Sequence, residues 1–459
     1  MQAVGLEELT GGAPAGVDEA LGLVDGFDAA LAGGFGRLGA EQAAALTALA
    51  GAFAGSPLGG PAAEAAEKIA AGAVAETHLL TLAGARTALL GSVHDALLAR
   101  LDGAAGRARA DGPDAGGDDV AANLLAGCRS WLAELAIAGW RGVDHDLVSA
   151  ADQFVEGLLK EPRLRGAAVL LDGLAAELRA SSPVATMETV PERRWADLWA
   201  RGMLLTRAGA AAATAEPVSG RLLVLGADVH EHGTSVQVQV HGVLEAEGAD
   251  ARLVRTSVAA SKVDTITGPP MWRLLDAHPT LLKALAERRC LHVTDMALRP
   301  GGDLLWDDAR ARAGEEADPF AVARVQLAEA VAPGVPPLDR HPVRIAEPVF
   351  LEGYTVNGTS LELDGRAIGI DLERLPACGP VTPELVQVSS SCVGLVRWDA
   401  GTWRLQPLAV RATVRKKAVE ACTGDWALGP TDPKALKASA RNGDAVGVLR
   451  ERAGRLLRK

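Results

Sequence analysis

The chain has 459 residues, 48% of them hydrophobic and 23% charged, which predicts two to four packed units. Aromatics make up only 3%, so aliphatic residues and alanine must build the core. The net charge of −12 is uneven: residues 1–200 hold 14 Lys and Arg against 27 Asp and Glu, the remainder 32 against 31. That acidic N-terminal field repels nucleic acid and anionic lipid, so neither is an expected partner.

Residues 1–108 read as helices. "VDEALGLVDGFDAALAG" sets Val17, Leu21, Leu23, Val24, Phe27 and Leu31 close to helical spacing, and "EQAAALTALAGAFAG" follows a Gly-rich break. The stretch 61–108 predicts two helices broken near Gly84, with Pro61 in the first turn of the first. Gly, Pro and Asp make 109–120 a loop between two helical subdomains. A second helical block, 121–207, opens with "VAANLLAGCRSWLAELAIAGW", apolar on most faces and therefore expected inside a bundle. Asp144 or Asp146 is the N-cap of the next helix. Trp131, Trp140, Trp195 and Trp199 read as core anchors; Trp195 and Trp199, four apart on one helix face, could instead dock the helical part onto the β-rich half.

After a linker, 208–220, the period changes to two. Strands are expected at 221–229, 235–246, 252–259, 290–299, 303–306, 342–351, 353–356, 359–364, 366–371, 392–398, 402–407 and 408–414. Hairpin signals stand at Asn357-Gly358, at 299–303 and at 398–403, and helical inserts at 269–289 and 318–331. The expected fold is α+β: an all-α bundle, then two β-rich units (221–340 and 341–430), mainly antiparallel and built as small barrels or sandwiches, then a basic helical tail, 431–459. No repeat of 20–50 residues survives a register check.

"LLVLGADVHEHGTSVQVQVHGV", 222–243, raises the metal question. His230 and His232 share a strand face, and His241 is the third ligand that a metal would need. Phase argues otherwise. Val236, Val238 and Val240 point one way and Gln237, Gln239 and His241 the other, the polar and solvated face, so "HEHGTS" reads as an exposed hairpin connection. Asp118, Asp119, Asp303, Asp307 and Asp308 are clustered carboxylates that read as loop and cap residues. Ser389, Ser390, Ser391 and Cys392 sit in no GxSxG elbow, and Cys392 reads as a buried small residue. There is no GxxxxGK[ST]. Cys128, Cys290, Cys378, Cys392 and Cys422 are too scattered for a disulfide framework or a CxxC ribbon. The N-terminus lacks the pattern of a signal peptide and no run of 18 apolar residues occurs, so a cytoplasmic protein is expected.

"WLAELAIAGW" and "ERRWADLWARGMLLT", followed by "RLLVLGADVHEHGTSVQVQVHGV", resemble in layout proteins of high-GC bacteria encoded beside MoxR-type AAA+ ATPases and von Willebrand A-domain proteins. Some of those carry a SWIM zinc finger with a CxC…CxH motif, which this chain lacks. The resemblance implies an accessory or scaffold role with an AAA+ ATPase or von Willebrand A-domain protein as partner. The resulting expectation is a non-catalytic adaptor without cofactor. Its contact residues would be Trp195, Trp199, Trp398 and Trp403, together with Arg415, Lys416 and Lys417 and, in the tail, Arg452 and Arg455. Two other classes stay open: a metal-dependent hydrolase built on 228–241 or 303–308, and a self-assembling subunit.

Overall fold

The structure is a computed structural model; it describes residues 3–112, 122–207, 215–433, 435–437 and 444–456. The end of the 109–120 loop with Asp118 and Asp119, most of the 208–220 linker and parts of the tail lie outside the described residues. The fold is α+β, as the change of period predicts.

The helices are α1 (Ala3–Thr10), α2 (Val17–Gly33), α3 (Ala40–Gly51), α4 (Gly59–Ala70), α5 (Glu76–Ala105), α6 (Ala122–Ala138), α7 (His145–Ser149), α8 (Ala151–Lys160), α9 (Arg165–Ala180) and α10 (Glu192–Leu205). Gly84 does not break its helix. α5 runs unbroken for 30 residues, about 45 Å. The break falls at Gly72, whose φ of +85° suits glycine, and the amides of Gly72 and Ala73 return to the carbonyls of Ile69 and Lys68. Gly84 is kept helical by its buried neighbours Leu82, Ala83 and Ala85, which outweigh a mid-helix glycine's cost of about 1 kcal/mol. Asp144 is the cap of α7, accepting from the Leu147 amide at 2.8 Å.

One core unites α2–α4, the first half of α5, and α6 and α8–α10. Trp195 and Trp199 are at its centre, 1% and 0% exposed. The Trp195 ring meets Trp140 edge-on at 5.8 Å, and the Trp199 indole donates to the Leu132 carbonyl at 2.8 Å. Both are core anchors, which corrects the idea that they contact a partner. The second half of α5 leaves this core. With α1 it packs Leu6, Leu9, Leu97 and Leu101 against Ile345, Trp398 and Leu405 of the last β-unit. The long helix is therefore a strut between bundle and sheet.

The first β-unit comprises β1 (Glu216–Glu231), β2 (Ser235–Ala246), β3 (Arg252–Ser261), α11 (Pro279–Ala286), β4 (Arg289–Leu298), β5 (Asp303–Leu305) and β6 (Ala311–Glu316). β1 pairs with both β2 and β4, β3 with β5 in parallel, and β5 with β4, so five strands close a ring in the order 1-2-3-5-4-1. Met271, Trp272, Leu281 and Leu285 of the insert between β3 and β4 join Val236, Val238 and Val240 in the barrel core. A five-stranded Greek-key barrel with that insert is the topology of the OB-fold. β6 pairs with β4 outside the ring.

After α12 (Pro319–Gln326) the topology recurs with β7 (Ala346–Glu352), β8 (Thr355–Asn357), β9 (Ser360–Leu363), β10 (Arg366–Ile370), α13 (Pro383–Gln387), β11 (Ser389–Asp399) and β12 (Thr402–Val414). β7 and β8 together are the first strand, interrupted at Gly353-Tyr354; β7 pairs with β11 and β8 with β9, while β10 and β12 run parallel. β13 (Lys417–Cys422) is an edge strand on β12. The expected strands at 402–407 and 408–414 are this one strand, and 342–344 is a helical turn rather than strand. α14 (Ala445–Leu456) closes the described chain.

The two barrels meet along the outer face of β1 and β2. A Cβ on Gly226 would lie 2.7 Å from the Leu408 Cβ, so glycine there permits the close approach. Beside it, buried Asp228 accepts from Arg397 at 2.6 Å and Gln406 at 2.7 Å, while the Arg397 Nε donates to the Gln406 amide oxygen at 2.6 Å. Burial alone would raise the Asp228 carboxyl. His230, Arg397 and Gln406 more than reverse that and hold it well below the usual carboxylate range.

Candidate functional site

The β1–β2 hairpin turns where expected, with 231–234 exposed. His241, however, is buried, 4% exposed, because residues 346–348 of the second barrel cover this end of β2, while Gln237 and Gln239 on the same face stay half-buried; this corrects the solvated position read from phase alone. Its ring is pushed down to about 4, chiefly by burial. In the hairpin register His230 lies opposite Gln237 and His241 opposite Gly226, four residues apart along β1 or about 13 Å. His230 and His241 therefore cannot share an ion. His230 instead rests its Nε2 2.9 Å from Asp228, and His232 is exposed at the turn. The 303–308 carboxylates are structural. Asp303 pairs with Arg255, Asp307 caps the turn at 308–310, and Asp308 accepts from the Thr280 amide at the start of α11.

The geometry draws attention elsewhere. A cleft of about 770 Å³ opens where α2, α5 and α10 face the segment 338–344 and the β11–β12 hairpin. Arg86, Arg193, Arg194, Arg201, Arg340 and Arg344 line it, against the carboxylates of Asp25, Glu192, Asp197 and Asp399. Its floor is a buried ion-pair chain. Arg86, 1% exposed, binds Asp28 through Nη2 at 2.8 Å and Asp197 at 2.7 Å, and Asp197 meets His341 Nε2 at 3.2 Å. Burial pushes Asp28 up to about 6 despite Arg86, whereas His341 and Arg86 outweigh burial at Asp197 and lower it. The wall is different. Arg201 and Arg344 both reach the same Asp339 oxygen, at 2.7 and 2.6 Å. Two guanidiniums thus share one carboxylate, so this triad carries one positive charge, whereas on the floor one guanidinium, Arg86, lies between two carboxylates. Partial desolvation and the neighbouring Arg201 pull the Arg344 guanidinium below its ordinary value.

Trp398 borders the same cleft, but it and Trp403 are 6% exposed and stack edge-to-face at 5.0 Å across their hairpin, which corrects their reading as exposed contact residues. Arg415, Lys416 and Lys417 are exposed at the β12–β13 turn and do not line the cleft. Arg452 and Arg455 are exposed on α14, where Arg455 pairs with Glu451. That tail folds back on its own chain, with Arg450 2.7 Å from Asp276 and Asp444 2.6 Å from Arg273. The structure does not bring these basic groups together. The cleft arginines escape sequence reading because they come from three distant segments; "PERRWADLWAR", with three arginines on one helix, is the available signal.

No family model, curated protein or solved structure matches the chain. Among the described residues no helix is long and apolar enough to cross a membrane.

Proposed function

We propose that the chain is a non-catalytic cytoplasmic adaptor whose interdomain cleft receives an acidic segment of a protein partner. The observation that carries this reading is the Arg201–Asp339–Arg344 arrangement: two guanidiniums on one carboxylate, in the wall of a cleft wide enough for side chains. A carboxylate entering there completes a second arginine–carboxylate pair. The cleft lies between bundle and barrel, so an occupant bridges both. The layout resemblance makes an AAA+ ATPase or a von Willebrand A-domain protein the expected partner.

The OB-fold topology by itself favours oligonucleotides. Single-strand binding, though, works through exposed aromatic platforms in a basic groove. Here Trp398 and Trp403 are packed on each other and only 6% exposed, so they offer no such platform.

The test is native purification of the tagged chain from its own host, wild type beside Arg201→Glu/Arg344→Glu. The proposal expects a stoichiometric partner with the wild type, released by moderate salt and lost from the double variant. Equal retention by the variant, or a wild type that pairs only with itself, contradicts it.

A further inference from the structure

A second cluster lies on the first barrel, on the face opposite its core residue Leu291. Cys290 and His292 are two apart on β4, so both project from the same face. β6 lies alongside and brings Glu315 over them. Cys290 Sγ, a His292 ring nitrogen and a Glu315 carboxylate oxygen all lie within 4.8 Å of one another. His292 Nε2 is 3.5 Å from Glu315 Oε2. That is long for a hydrogen bond. It matches the roughly 3.4 Å that separates two ligands of one tetrahedral ion with bonds of 2.0–2.2 Å.

Three further features fit a cation. First, the carboxylate is oriented: Arg221 donates to Oε1 at 2.8 Å, which leaves Oε2 turned to His292. Glu245 in turn holds Arg221 at 2.8 Å and offsets its charge. Second, residue 314 is glycine. A Cβ there would stand 2.5 Å from Cys290 Sγ and 2.8 Å from His292 Nε2, so even alanine would push both ligand atoms out of place. Third, burial is graded: Cys290 is fully buried, His292 is 35% exposed and Glu315 56% exposed at the side chain. The site is anchored inside and open outward.

We propose that Cys290, His292 and Glu315 bind a divalent cation of the zinc class, leaving a fourth position open to water or to a ligand. A thiolate, an imidazole and one carboxylate suit zinc better than magnesium or calcium, which take oxygen ligands. Bringing the three atoms onto one ion takes side-chain shifts of about 1 Å or less.

The experiment uses the full chain without a histidine tag, stripped with chelator under reducing conditions and titrated with Co²⁺, then with Zn²⁺ in competition. One equivalent of Co²⁺ should give intense tetrahedral bands and a near-ultraviolet thiolate-to-metal band. Cys290→Ser should abolish that band and weaken Zn²⁺ binding about 100-fold or more, while circular dichroism reports that the fold persists. Glu315→Gln, at an exposed position, provides a variant that leaves the core intact and should weaken binding at least about 10-fold. Gly314→Ala should do the same. A wild type that gives no thiolate band overturns the proposal, as do equal affinities in wild type and Glu315→Gln, or a bound ion that follows His230 and His232 instead.

Discussion

The two barrels share one topology and differ in almost everything that surrounds it. In the first, β1, β2 and β3 are 16, 12 and 10 residues long and the ring seals itself around the insert between β3 and β4. In the second, β8, β9 and β10 have 3, 4 and 5 residues and the first strand is interrupted. Short strands bury less apolar surface, and α1 with the second half of α5 supplies the remainder. The first barrel fills most of its core from its own segment, with Cys378, Trp426 and Ala427 added from the second unit, and carries the Cys290–His292–Glu315 cluster outside that core. The second depends on the helical block, and that dependence creates the cleft.

The largest expected effect breaks the seam that joins the barrels. Arg397→Met takes the guanidinium from buried Asp228, leaving it to His230 and Gln406, and should cost about 3 kcal/mol in denaturant unfolding. Replacing Asp228 as well, by Leu, should recover most of the loss; no recovery would mean that the pair does not act as a unit.

Acid sharpens the same seam. His241 sits in it with its proton affinity lowered to about 4, so the unfolded chain binds the proton more tightly between pH 6.5 and 4. Its contribution is complete above pH 6.5 and is lost as pH falls toward 4, by at most about 3 kcal/mol. Asp28, raised to about 6, works in the opposite sense and costs stability as pH rises from 4 to 6. His241→Gln should flatten the acid side of the stability profile, and Asp28→Asn should steepen it. An unchanged slope in the first variant would place His241 in water.

Glycine substitutions separate the barrels by mechanism. Gly226→Ala drives a methyl into Leu408 and should cost about 1–3 kcal/mol through overpacking. Gly353→Ala meets no neighbour within 4 Å but sits at φ +77°, and should cost about 1–2 kcal/mol through backbone strain alone. The smallest effect is expected at the exposed β12–β13 turn, where Lys416→Gln should stay within about 0.5 kcal/mol.

The range of the forces involved decides which features are legible in the sequence. Turn chemistry is local, so the hairpins at Asn357-Gly358, 299–303 and 398–403 are readable and are present. β6, "ARAGEE", and β13, "KAVEAC", have no alternating apolar face and give no strand signal. The internal repeat is hidden because its period, from 216 to 346, exceeds any short window and its strands differ in length. Alternation along β2 shows correctly that His241 points away from Val236, Val238 and Val240. Only tertiary packing decides that this second face is covered at His241. Cys290 and His292 lie in an expected strand, yet their partner Glu315 comes from a strand without a signal. The cleft draws on residues from 21 to 401, a juxtaposition that no local pattern encodes.

The central claim, that the cleft is the partner site, is most directly tested by hydrogen exchange on the chain alone and in its native complex. The account predicts new protection in residues 191–201 and 338–344, with the 289–316 region unchanged. Protection confined to the 415–417 turn or to α14, with the cleft segments exchanging as before, would contradict it.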